Sequence, residues 1–168
     1  MIRQAIKLFT LLNSETSAWQ LAFGASFGML LGFTPFLGLH TVFVVFFLLA
    51  LRVNISFALL FWGVCSGLAY WFDSSFHQLG WSILNAPALN DWFTAAYNHP
   101  VWRWSQFNNT VMMGSFVAAL LVFFPLALVM KWLVDRYRVH LRARLEKMRI
   151  VQALKASRWF NTFNQLGQ

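Results

Sequence analysis

The sequence predicts an all-α membrane protein. It would hold a helical hairpin broken at a Gly/Pro tip, two transmembrane helices, short outer interfacial helices and a basic amphipathic C-terminal helix. Three observations carry this. Hydrophobic residues make up 59% of the chain and charged residues only 11%, against about 25% charged in an average soluble domain. So few polar residues cannot cover a soluble globule. The apolar residues gather in four runs, 19–33, 36–51, 55–72 and 111–130. The formal charge of +8 is uneven: residues 131–168 carry +7, residues 16–130 are neutral, and residues 1–15 carry +1.

A basic excess directly after an apolar run is the positive-inside pattern, and it suits contact with anionic lipid. It is a poor match to a folded nucleic-acid-binding domain, which needs a core beneath its basic face. Nucleic acid is therefore not an expected partner. The expected location is the inner (cytoplasmic) membrane, multi-pass, with both termini cytoplasmic.

Residues 1–15 contain no signal-peptide core, because Lys7 and Glu15 interrupt them. Ile2, Ile6, Phe9 and Leu12 recur at helical spacing, which predicts a short amphipathic interfacial helix that is retained. The membrane domain spans 16–130. Its runs are roughly 22, 24, 27 and 30 Å long as helices, and a hydrocarbon core needs about 30 Å. The fourth run is long enough to cross and the third nearly so. The first two, forming a hairpin over 19–51, are short and separated at Thr34 and Pro35, with Gly38 just beyond. That pattern suits a re-entrant hairpin, and two full crossings with a tight turn also satisfy it. The second helix of the pair is expected to begin between Phe36 and Leu39.

The third helix is expected over 55–72, followed by an outer segment at 74–107. This segment is rich in Trp81, Trp92, Trp102 and Trp104, and broken at Ala86-Pro87 and His99-Pro100. It predicts two short helices at the outer interface. Ordinary interface composition favours an aromatic belt; a lid over an outward-opening cavity is the alternative. Asn108 and Asn109 are candidates to cap the fourth helix, and Pro125 is expected to kink it. Beyond it, Val134, Tyr137, Leu141, Leu145 and Met148 form an apolar stripe among basic residues. Arg136, Arg138, Arg142, Arg144, Lys147 and Arg149 are the candidates for membrane-surface contact.

The richest motif runs from Phe23 to His40. Gly24, Gly28 and Gly32 fall every fourth residue, a small-xxx-small face for close helix packing. Pro35 then breaks the run. If the break lies in the membrane, the N–H groups of the next helix start favour an anionic group. Thr34, Pro35, Gly38, His40 and Thr41 are the candidate ligand-binding residues. An ionisable residue at membrane depth, here His40, is by default a functional candidate. A neutral ring bonded to a backbone carbonyl is the competing reading, and plain helix packing at a Pro/Gly turn competes for the whole motif.

The stretch Gly28-x-x-x-Gly32-x-x-Pro35-x-x-Gly38-x-His40, with its apolar run and Arg52-Val53-Asn54, resembles the bacterial "domain of unknown function twenty sixty-two" family. Asn13-Ser14-x-Thr16-Ser17-x-Trp19-Gln20 and Phe107-Asn108-Asn109-Thr110-Val111 are similar to a conserved-hypothetical subfamily of it without known activity. Many members have Asn-Pro where this chain has Val64-Cys65-Ser66-Gly67, so features tied to that pair do not carry over. Fusion of some members to glycosyltransferases implies work near lipid-linked sugars. Gene neighbourhood in the subfamily implies a larger envelope-protein partner.

No catalytic residues are assigned. Asp73 and His77 could face each other on a helix, but so weak a pair reads first as an ordinary surface pair. The single Cys65 excludes an intrachain disulfide and a cysteine metal cluster. No cofactor or metal is expected. The expected role is a non-enzymatic inner-membrane protein of envelope biogenesis that handles or transports an anionic lipid or lipid-linked group at the broken helix. The alternative is a structural anchor or assembly partner of a larger envelope protein. Expected partners are an anionic membrane lipid, that larger protein and a second copy of the chain.

Overall fold

The computed structural model describes residues 16–35 and 38–141. Among these every regular element is helical. Helix α1 spans Ala18–Phe33, α2 Leu39–Ala50 and α3 Ile55–Leu84. A 3₁₀ turn at Pro87–Leu89 leads to α4 at Asn90–Tyr97 and α5 at Pro100–Trp104. Helix α6 spans Thr110–Arg136 and ends in a π-helical turn at Tyr137–Leu141. The N-terminal helix expected over 1–15 lies outside the described residues, as does the tail beyond Leu141.

Only α3 and the helix beginning at Thr110 are long and apolar enough, among the described residues, to cross a membrane. The most apolar windows of the two are just 17% and 33% buried within the chain. A soluble core helix would be mostly buried, so their apolar side chains face outward, consistent with a membrane setting.

Helix α1 is the central element. Eleven of its 16 residues are buried. Ser17 N–H donates to Gln20 Oε1 at 3.0 Å, which helps fix the helix start. The same side chain donates from Nε2 to the Arg52 carbonyl at 3.1 Å, tying α1 to the turn before α3. Arg52 takes the left-handed conformation there, with φ 50°. Gly24, Gly28 and Gly32 all face α3. A side chain at Gly28 would strike the Ala58 carbonyl, and a Cβ at Gly32 would stand 2.6 Å from Cys65 Cβ. On the opposite side, buried Ser26 donates to the Phe123 carbonyl of α6 at 2.9 Å. Phe27 meets the Phe123 ring edge-on, centroids 4.9 Å apart.

Helix α3 departs from the sequence expectation. It continues past residue 72 to Leu84, so the outer segment begins only at Asn85. Asp73, Ser74, Ser75, His77 and Gln78 lower the hydropathy without breaking a helix. The far end of α3 is held by α6. Gly80 and Gly114 meet where the helices cross, and a Cβ on either would collide with the partner helix's backbone at Thr110 or Phe76. The N-caps follow the residue types: Asn54 Oδ1 accepts from Phe57 N–H at 2.9 Å, and Asn109 Oδ1 from Val111 N–H at 2.9 Å. Pro125 stands inside α6, which continues as one helix to Arg136.

Candidate functional site

The chain break at Thr34–Gly38 has its own hydrogen-bond logic. Thr34 closes α1: its N–H and its hydroxyl both donate to the Leu30 carbonyl, at 3.3 and 2.7 Å. Pro35 cannot continue the helical bonding. Gly38 is the N-cap of α2 and places no side chain over the first N–H groups. His40 follows in the first turn. Its Nε2 lies 3.0 Å from Thr34 Oγ1 and 3.3 Å from Thr41 Oγ1. Thr34, His40 and Thr41 are all buried. The His40 ring stands edge-on to Phe116 of α6, centroids 5.9 Å apart.

Beside this cluster lies a cavity of about 890 Å³. Phe23, Phe27 and Leu30 of α1 form one wall, and Phe43, Val44 and Phe47 of α2 another. Met112, Met113, Phe116 and Leu120 of α6 face them. Trp92, Phe93 and Ala96 of α4, with Trp102, Ser105 and Phe107, line a further side, and the cavity stays about half open. Such a volume is in the range of small-molecule sites. The wall is apolar throughout, apart from the indoles' N–H groups, the His40 ring and the Ser105 hydroxyl.

The expected ligand residues therefore separate into two groups. His40 lines the cavity, while Thr34 and Thr41 stand behind it as hydrogen-bond partners. Gly38 packs against the His40 ring: a Cβ there would lie 2.6 Å from Nδ1. His40 is bonded to a side-chain hydroxyl, and its ring also interacts with the Pro35 backbone carbonyl, as the competing reading expects. The outer aromatics of α4 and α5 line the cavity, whereas the sequence favours an interface belt, with a lid over a cavity as the alternative; the first turns of α6 were missed.

The Asp73–His77 pair does not form. His77 Nδ1 contacts Thr110 Oγ1 at 2.6 Å instead, because the helix crossing brings Thr110 closer. No group of three metal-ligating side chains occurs among the described residues. Of the basic candidates, Arg136 stacks near the Trp132 ring at 5.6 Å, and Arg138 donates to the Thr16 carbonyl at 2.7 Å. Arg142, Arg144, Lys147 and Arg149 lie outside the described residues.

The model of an uncharacterized protein family conserved in bacteria, DUF2062, matches residues 2–143. The chain belongs to the DUF2062 family. No curated protein and no solved structure matches it. The match includes every cavity-lining residue and the whole α1–α2 break, so this DUF2062 chain carries its candidate site within the family region.

Proposed function

We propose that this protein is a non-enzymatic component of the bacterial inner membrane that binds an anionic lipid, or a lipid-linked group, for envelope biogenesis. The observation that carries the reading is the cavity itself: a half-open apolar cavity beside a buried polar cluster at a helix break. Acyl or isoprenoid chains suit the Phe- and Met-rich wall. A headgroup suits that cluster, where the uncapped start of α2 favours negative charge.

The hairpin is re-entrant in this reading. Helices α1 and α2 are about 24 and 18 Å long, short of a bilayer core of about 30 Å. Near the end of α1, Gly32 packs against Cys65 and Ser66, which are the eleventh and twelfth of the 30 residues of α3. The tip thus lies near mid-height of a spanning helix, as at the broken-helix sites of transporters. Both termini are cytoplasmic. The start of α1, the α2–α3 turn and the end of α6 meet through Gln20, Arg52 and the Arg138–Thr16 bond. Arg52, Lys131, Arg136 and Arg138 share that end, in accord with the positive-inside rule.

The test is the lipid content of purified protein. Gly38→Leu and His40→Ala are expected to abolish function and retained lipid while the protein still inserts. Normal behaviour of both would refute the reading.

A second reading, an anchor or assembly partner of a larger envelope protein or of a second copy, has one observation in its favour. Gly63 and Gly67 of α3 are exposed, with nothing within 4 Å of an added Cβ. Gly24, Gly28 and Gly32 cannot serve that role, because α3 already occupies their face.

A further inference from the structure

Exposure divides the cavity wall into a floor and a rim. Phe27, Leu30, Val44 and Phe123 are buried and form the floor. Phe43 and Phe47 of α2, with Leu120 and Phe124 of α6, line the same cavity and are 48–67% exposed. Helix α2 packs mainly on α1 and not closely on α6, so the rim bounds a lengthwise slot between α2 and α6. The slot opens sideways, continuous with the outward-facing Leu121 and Leu128 of the long apolar helix α6. Beside a spanning helix that surroundings is hydrocarbon, where nothing solvates a polar group. The slot also has two unlike ends. Phe23, Leu51 and Phe124 bound the inner end, on the side of Thr16 and Arg138, and supply no polar group. The His40 ring and the Ser105 hydroxyl lie toward the outer end, where His40 meets Phe116. From His40 inward to Leu51 the α2 wall is about 16 Å long, and from Phe116 outward to Met112 the α6 wall is about 6 Å long.

We propose that the site takes one hydrocarbon chain of a membrane lipid sideways through the α2–α6 slot and holds that lipid head-out. The headgroup lies at the α1–α2 break, and the chain runs inward along α2 and α6 to Leu51 and Phe124. This is the orientation of a lipid of the outer leaflet, so the ligand is drawn from that leaflet. The inference rests on the lipid-binding reading and the topology above, and adds the route of entry and the source. The length fits: one leaflet's chains fill about 15 Å, half of the hydrocarbon core, and the wall inward of His40 matches it. A lipid with its headgroup at the break and its chain pointing outward would have only the short stretch from Phe116 to Met112 and the aromatics of α4 and α5. A lipid with its headgroup at the inner end would place it against Phe23, Leu51 and Phe124, which offer it no hydrogen bond.

The experiment is photolabelling of the purified, delipidated full chain with two forms of phosphatidylglycerol. One carries a diazirine at the end of an acyl chain, the other beside the ester, and peptide mass spectrometry locates the adducts. The chain-end probe is expected on Phe23, Phe47 or Leu51, and the ester-end probe on Met112, Met113 or Phe116. Leu120→Trp, which fills the slot, is expected to lose most of both adducts, and Leu121→Trp, outside the wall, to keep them. The swapped pattern of the two probes would overturn the head-out orientation and leave lipid binding standing. Labelling of Leu121 and Leu128 as strong as that of the slot residues, or equal labelling in Leu120→Trp and wild type, would overturn the slot. Native mass spectrometry of the same samples reads bound phosphatidylglycerol directly, and its absence from the wild type would overturn the underlying reading as well.

Discussion

Thr34 and His40 bridge the break between α1 and α2 through a buried side-chain hydrogen bond of 3.0 Å, Nε2 to Oγ1. Thr34 also donates to Leu30 of α1, so one hydroxyl links the end of the first helix to the start of the second. The tip is thereby fixed by side chains where Pro35 interrupts the helical backbone bonds.

Thr34→Val should expose the strength of that link. It leaves His40 Nε2–H without its nearest acceptor in a buried setting, at a cost of about 1–3 kcal/mol. Thermal unfolding in detergent checks this, and Thr34→Ser should recover most of the loss.

Gly28→Ala and Gly63→Ala form a matched pair. The first drives a methyl into the Ala58 carbonyl, with Phe61 Cβ at 2.7 Å. The second meets nothing within 4 Å. Gly28→Ala is expected to destabilise by about 2 kcal/mol or more, as overpacking does, and Gly63→Ala by less than about 0.5 kcal/mol. Comparing their melting temperatures tests the α1–α3 contact. A drop in oligomer size for Gly63→Leu, at unchanged stability, would favour the assembly reading.

The outer aromatic segment has two roles to separate. Trp92→Ala combined with Trp102→Ala removes two residues of the cavity wall, while Trp104, 80% exposed, is absent from it. The double variant is expected to lose most retained lipid and Trp104→Ala to keep it. A belt that serves only as an anchor would make the three tryptophans equivalent. Quantifying lipid extracted from each purified variant distinguishes the cases.

Orientation follows from labelling single cysteines in a Cys65→Ser background. Arg103→Cys is expected to react with an impermeant thiol reagent applied from outside the inner membrane, and Arg136→Cys only after the membrane is opened. The reverse pattern would invert the topology.

Much of this architecture was legible in the sequence because it depends on local chemistry. Pro35 and Gly38 mark the break, Asn109 marks the start of α6, and the glycine spacing marks one close-packing face. The length of α3 was not legible. Asp73 through Gln78 change polarity without changing helix propensity enough to stop the helix, and it ends only at the Asn85-Ala86-Pro87 break. Nor was the Gly80–Gly114 crossing, since each glycine lacks the repeated spacing that identifies a packing face. The cavity depends on tertiary placement. Its far wall comes from aromatics whose composition also suits a membrane interface, and only the fold brings Phe107 and Phe116 opposite Phe43.

The most direct measurement is the number of phospholipids that stay on the chain when it is taken from native membranes and delipidated, read by native mass spectrometry. One tightly held anionic phospholipid is expected on the wild type. It should be lost in Gly38→Leu, which crowds His40, and in Ala96→Trp, which fills the cavity. Wild-type protein that carries no lipid, or variants that keep theirs at the wild-type level, would contradict lipid binding at the α1–α2 break.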